Sequence, residues 1–328
     1  MKSIFLCLGI LVVLAGCHQE QYRTASGATW GTTYHITYKS DSDLSDSIIH
    51  EMRKIDMSLS AFEDNSLVSR INGGDSTVRA NDQVRDVMAL SQQVCSISGG
   101  AFDPTVAPLI NLWGFGYRDN QLDRPTQEMI DSALATVGIM QCAVLDDGTV
   151  VKKTPETEFN FSAVAKGYGV DQVAAMLRRN GCDNYMVEIG GEIALGGKSP
   201  RGGAWHIQID APIPDSGVGV DHSRLSVIEL TDRCIATSGN YRNYRMTADG
   251  TVGHTISPVT GMPVATRTLS ATIIAPTTAL ADALATAAMA MPAPDAMEML
   301  QGLSAVDAML VLSTPDSTYQ IVVTPLWP

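Results

Sequence analysis

Positive charge is scarce in this chain. Its 22 Lys and Arg face 35 Asp and Glu over 328 residues, a formal charge of −13, and no Lys/Arg run exceeds two residues. Affinity for a nucleic-acid backbone comes from cation contacts, so nucleic acid is excluded as the main partner. A small phosphate ester is not, because a metal ion can supply the positive charge instead. No stretch reaches eighteen uninterrupted apolar residues, and no membrane span is expected. Cys95, Cys142, Cys182 and Cys234 lie 40 or more residues apart with no C-x-x-C pair. That spacing is wrong for zinc, and we read these cysteines as small buried hydrophobes. There is no repeat of 20–50 residues and no low-complexity tract. What the chain does have is 45% hydrophobic residues, enough to bury a sizeable core and too many for a disordered tail.

The first residues address a compartment. Met1-Lys2-Ser3 is a short basic start to the apolar run Ile4 to Ala15. At about 1.5 Å per residue that run spans roughly 18 Å, short of the about 30 Å of a bilayer core. It has the size of a signal-peptide core. Leu14-Ala15-Gly16-Cys17 resembles a bacterial lipobox, in which Cys17 receives lipid; the alternative is an ordinary signal peptide that happens to contain a cysteine. The expected organisation is a leader over 1–16, a lipidated tether over 17–28, and one domain over 29–328.

Thr29 to Tyr38 is rich in Thr and aromatics and is predicted to be a strand. Apolar residues at helical spacing predict helices over Asp43–Leu59, Asp82–Ser96, from Pro125 to Val137, Ala163–Arg179, Ala279–Met291 and near Pro294–Leu300. Tyr185 to about Val264 is mostly strand-like, and Val306–Ser313 with Tyr319–Thr324 suggests a closing hairpin. Pro212 to Gly217 reads as a surface loop. Strands and helices do not alternate strictly, so the expected class is α+β.

Several motifs carry chemistry. Gly191 to Ser199 superficially suggests a P-loop, but five residues rather than four separate Gly191 from Gly197, and Glu192 stands inside it. The two glycine pairs 190–191 and 196–197 instead bracket a strand, where missing side chains admit a backbone or ligand. Asp282 and Thr286 are four apart and share a helix face; a carboxylate and a hydroxyl are hard oxygen ligands of the kind Mg²⁺ accepts, and equally serve solvation or capping. His254 sits in a Gly/Ser/Asn-rich region that is either a site-bearing loop or a solvated hairpin. Lys166 in the first turn of a helix opposes the macrodipole, which either a nearby anion or simple exposure to solvent would explain.

Seven segments in order resemble the ApbE family of flavin transferases (FAD:protein FMN transferases). They are Thr29–Thr32, Gly100–Val106 with Leu112–Gly116, Ser162–Tyr168, Val187–Glu192, Thr237–Tyr241, His254–Gly261 and Ala281–Ala287. The resemblance implies an ApbE-like α+β fold, with mixed or antiparallel sheets and helices forming two lobes around an FAD cleft. It implies Mg²⁺ held by Asp282, Thr286 and the main-chain carbonyl of Ala163. Trp30, Phe62, Ala101, Phe102, Asp103, Asn160, Lys166 and Ile256 would line the FAD site, and His254 or the carboxylate of Asp282 would take a proton. The sequence departs from the family's usual Met at Trp30, Tyr at Phe62 and Asp at Asn160. The implied activity moves FMN from FAD to a threonine hydroxyl of a partner protein and releases AMP. The partner would carry a segment like Ser/Thr-Gly-Ala-Thr, as in a respiratory flavoprotein of the same membrane. Ser26-Gly27-Ala28-Thr29 of the chain itself has this pattern, which we read as coincidence. The alternatives are an FAD pyrophosphatase using water and a non-catalytic FAD-binding lipoprotein. The expected location is the periplasmic side of a bacterial envelope, anchored through Cys17.

Overall fold

The computed structural model describes residues 21–116, 124–212, 223–239, 244–247, 250–253, 255–316 and 318–328. The leader, Cys17, His254 and residues 213–217 of the expected surface loop lie outside them. In chain order the elements are β1 (Gln21–Thr29), β2 (Thr32–Ser40), α1 (Ser45–Leu59), α2 (Leu67–Asn72), α3 (Asp82–Ile97), α4 (Ala107–Leu112) and α5 (Gln127–Leu134). A single 3₁₀ turn, Ile139–Gln141, precedes β3 (Ala143–Val144), β4 (Val150–Val151), α6 (Ser162–Arg179), β5 (Tyr185–Ile189) and β6 (Glu192–Gly196). Then come β7 (Trp205–Asp210), β8 (Arg224–Leu230), β9 (Cys234–Gly239), β10 (Tyr244–Thr247), β11 (Gly250–Gly253) and β12 (Thr268–Ala275). The chain closes with α7 (Thr278–Met289), α8 (Ala293–Gln301), β13 (Asp307–Ser313) and β14 (Tyr319–Val323).

Eight strands form one sheet in the order β1-β2-β5-β6-β9-β12-β13-β14. Every neighbouring pair is antiparallel. Its two faces bury different partners. Ile273 and Leu310 point into a core shared with α3, α6 and α7, while Ile274, Met309 and Val311 pack under the separate β7–β8 hairpin with Trp205 and Ile207. Strands covered on both faces read as continuous apolar runs rather than alternating ones, which is how β12 and β13 appear in the sequence. The α+β expectation holds, with an antiparallel sheet and clustered helices. Among the described residues no helix is long and apolar enough to cross a membrane, and Cys95, Cys142, Cys182 and Cys234 are free and buried.

The central helix is α7. It is apolar on all sides, with Ala281, Ala283, Leu284, Ala285 and Ala287 fully buried, as expected of a helix enclosed in a core. Its N-terminal donors are met twice. Thr277 Oγ1 accepts from Leu280 N–H at 3.3 Å, and the Asp171 carboxylate of α6 accepts from Thr278 and Ala279 N–H at 2.8 and 2.9 Å. Small residues let α6 approach closely. A Cβ on Gly167 would stand 2.5 Å from the Thr278 carbonyl oxygen.

Three expectations need correction. The tether over 17–28 does not extend to residue 28, because Gln21–Thr29 is strand β1, paired in full register with β2. Main-chain hydrogen bonds hold it and only Ala25 is buried, so no apolar alternation announces it in the sequence. The strand expected over Thr29–Tyr38 is broken by a turn at Trp30-Gly31. The helix expected from Pro125 begins at Gln127, where Thr126 Oγ1 caps it by accepting from Met129 N–H.

Gly167→Ala drives a methyl into the backbone of α7. It is expected to lower unfolding stability by about 2 kcal/mol or more, measured by urea denaturation; an unchanged midpoint would show that the two helices do not need this approach.

Candidate active site

Two adjoining cavities open beside the first turn of α6. The larger, of about 600 Å³, is lined by Trp30, Gly31, Ile55, Leu59, Phe62 and Lys166 among others. The second, of about 450 Å³, is lined by Phe62, Ala101 to Pro104, Asn160, Ala163, Lys166, Glu192, Ile256, Asp282 and Thr286, with Thr237 to Gly239 of β9. Both have the size of ligand pockets. They share Phe62, Ser162 and Lys166, so the lysine stands at their junction. Each described residue expected at the site thus lines one cavity or both; His254 lies outside the described residues.

Trp30 reaches the larger cavity from the β1–β2 turn. Trp30 and Gly31 have φ of 49° and 73°, the left-handed pair of a two-residue hairpin turn. For a tryptophan that conformation costs about 1–2 kcal/mol. Packing offsets the strain: the indole lies over Gly169 of α6, where a Cβ would come within 2.2 Å of its ring. Phe62, 63% exposed in the α1–α2 loop, lines both cavities.

The junction is electrostatically dense. The Lys166 ammonium pairs with the Glu192 carboxylate. Burial disfavours the lysine's charge, but the carboxylates of Asp282 and Glu192 outweigh it and hold Lys166 above the usual lysine range. Burial pushes the Glu192 carboxyl up, against the pull of Lys166 and with a further push from Asp282. Glu192 Oε2 is buried and has no hydrogen-bond partner among the described residues. This answers the question left by the sequence: the lysine in the first turn of α6 faces anionic groups.

Asp282 is 3% exposed, and its Oδ2 accepts from Gly167 N–H at 3.0 Å. In a regular helix that N–H serves the Ala163 carbonyl four residues back, so Asp282 competes for the same donor. Thr286 Oγ1, one turn along α7, reaches Ser238 Oγ at a long 3.4 Å. Asp282, Thr286, Ala163 and Glu192 all line the second cavity, and a carboxylate, a hydroxyl and a main-chain carbonyl are hard oxygens of the kind Mg²⁺ accepts. Among the described residues no group of three or more His, Cys, Asp or Glu marks a metal site.

Two of the expected ligand-binding side chains are occupied within the protein. Asp103 Oδ1 accepts from Thr105 N–H and Oγ1, at 2.8 and 2.6 Å, and Oδ2 from Ile139 N–H at 3.0 Å. These bonds tie the loop after α3 to the turn at Ile139. Asn160 Oδ1 accepts from Ser162 N–H and Oγ at 3.0 and 2.6 Å, starting α6. An aspartate would take the same two bonds, but the amide spares the cleft one negative charge. The sequence reading passed over Glu192 as a site residue. Its signals were its place at the end of the family-like segment Val187–Glu192 and the Gly190-Gly191 pair in front of it, with φ of 67° and 100°, which turns β5 back into β6 beside the cleft.

The ApbE family model matches residues 30–310. An FAD:protein FMN transferase of Vibrio cholerae is 34% identical over 325 residues, covering 96% of this chain and 95% of its own. A solved flavin transferase ApbE from Vibrio cholerae is 32% identical with a TM-score of 0.81, covering 94% of this chain and 98% of its own. The apo flavinyl transferase ApbE of Pseudomonas stutzeri is 29% identical with a TM-score of 0.81, covering 94% and 96%. Fold, cleft and sequence agree, and the chain belongs to the ApbE family.

Proposed function

We propose that this protein transfers FMN from FAD onto a hydroxyl of an acceptor protein, releasing AMP. One observation carries the reading: two pockets meet at a half-buried lysine flanked by hard-oxygen donors, a shape and polarity suited to a ligand with two planar ends and an anionic bridge. The electrostatics add a requirement. Lys166 faces two carboxylates, so a pyrophosphate dianion would meet net negative charge unless a divalent cation accompanied it. Asp282, Thr286 and the Ala163 carbonyl would hold Mg²⁺. When bound, the ion would supply positive charge to the phosphate oxygens as the bridge breaks.

The protein's own groups do the rest. Lys166 faces the pyrophosphate and stabilises charge that builds on the leaving phosphate. Trp30 and Phe62 offer aromatic faces to a planar ring. The acceptor's Oγ attacks the FMN phosphorus and forms a P–O bond; the bridging P–O bond breaks, and AMP leaves with its electron pair. The hydroxyl proton passes to a base, His254 by family resemblance or the Asp282 carboxylate. A threonine within a Ser/Thr-Gly-Ala-Thr-like segment of a membrane respiratory flavoprotein is the acceptor the resemblance favours. Lipid on Cys17 would hold the domain at the periplasmic face beside such partners.

With FAD, Mg²⁺ and acceptor, wild-type protein is expected to add an FMN-sized mass to the acceptor; EDTA or Asp282→Ala abolishes the gain, and Mg²⁺ reverses the EDTA effect. Acceptor left unmodified with intact bound FAD would reduce the protein to a flavin binder, and free FMN formed equally fast without acceptor would make water the true acceptor. Lys166→Met should slow transfer at saturating FAD by about 100-fold or more, the scale of losing one transition-state charge contact; a wild-type rate would remove the lysine from the mechanism. Cys17→Ala is expected to move the protein from the membrane to the soluble fraction on cell fractionation, and continued membrane association would rule out the lipid anchor.

A further inference from the structure

An acceptor protein must bring its hydroxyl to the Lys166 junction on a stretch of chain held beside the cleft. Strand β1 leads there. It forms one edge of the eight-stranded sheet, and its last residue runs into Trp30-Gly31, both of which line the larger cavity. Among the described residues no strand pairs with its outer side.

The direction of its main-chain groups follows from the ladder. The Thr33 carbonyl accepts from Gly190 N–H at 3.0 Å, and Lys39 N–H donates to the Asn184 carbonyl at 2.9 Å, so these β2 residues turn toward β5. Their partners on β1, Ala28 and Tyr22, therefore turn their own amides and carbonyls outward, and alternation adds Thr24 and Ser26. The edge carries none of the usual devices that block pairing. It has no proline, lysine or bulge over Gln21–Thr29, and its one charged side chain, Arg23, folds back onto the Ser40 and Asp41 carbonyls at 3.1 and 2.8 Å. Thr24, Ser26 and Ala28 are small, uncharged and exposed. The opposite edge, β14, contributes no residue to either cavity.

We propose that an extended segment of the acceptor protein adds to β1 as a ninth strand over Tyr22–Ala28, and that its continuation past Trp30 delivers the hydroxyl to the cleft. Main-chain pairing supplies the affinity, so the enzyme reads mainly the extended shape of the acceptor segment. This inference rests on the transfer reading above.

Ser26→Pro tests it, because the Ser26 N–H points away from β2 and its loss spares the β1–β2 ladder. The expected result is a five- to tenfold higher KM for the acceptor protein, about the value of one main-chain hydrogen bond, with kcat and FAD binding by fluorescence titration unchanged. Hydrogen exchange of residues 22–28 in wild-type protein should slow when acceptor is added, a measurement that stands whether or not the variant folds. A wild-type KM in folded Ser26→Pro, or unchanged exchange over 22–28, would overturn the proposal. So would a comparable rise in KM for Ile321→Lys on β14, which would move docking to the other edge. Failure of the transfer reading would show separately, as wild-type protein that modifies no acceptor.

Discussion

The contact between Gly167 and Asp282 is the constraint on which the site depends. The glycine lets α6 and α7 approach until a main-chain N–H of one helix reaches a side-chain carboxylate of the other. That bond orients Asp282, and the close approach of α6 and α7 puts Lys166 in the field of the Asp282 carboxylate. Burying a carboxylate in an otherwise apolar helix is costly unless it is hydrogen-bonded and near a cation, and both conditions are met across this one interface. Asp171 reinforces it from the same helix by capping α7.

The cleft is built against the ordinary preferences of folding. Trp30 sits in a left-handed turn that asparagine or glycine would occupy at lower cost, and Glu192 keeps an oxygen buried without a partner. Such departures persist where the surrounding structure over-determines them, and they concentrate at functional sites. Here they set an aromatic ring in the larger cavity and a carboxyl group in the one that adjoins it. The outcome is a junction where one ammonium faces the carboxyl groups of Glu192 and Asp282.

Much of the fold was legible from periodicity. The helices over Asp82–Ile97, Ser162–Arg179 and Thr278–Met289 and the hairpin of β13 and β14 declare themselves, because their apolar residues repeat at helical or strand spacing and are capped by turn-forming residues. Strand β1 did not, since it is held by main-chain bonds and buries one side chain. The six-residue helices α2 and α4 are too short to show a period. Site residues carried in family-like motifs were legible in the same way, while the structural duties of Asp103 and Asn160 and the place of Glu192 were not.

The sequence by itself determined the elements that repeat along the chain, the acidic balance, and the shared helix face of Asp282 and Thr286, all of which depend on residues close in order. Only the tertiary structure decided that Trp30, Phe62, Asp103, Lys166, Glu192 and Asp282 converge, since they are separated by tens of residues and meet through the packing of α6 on α7 and the order of strands in the sheet. It also decided the electrostatic character of Lys166. A charge in a helix's first turn takes its meaning from what the fold places opposite it, and nothing near it in sequence specifies that partner.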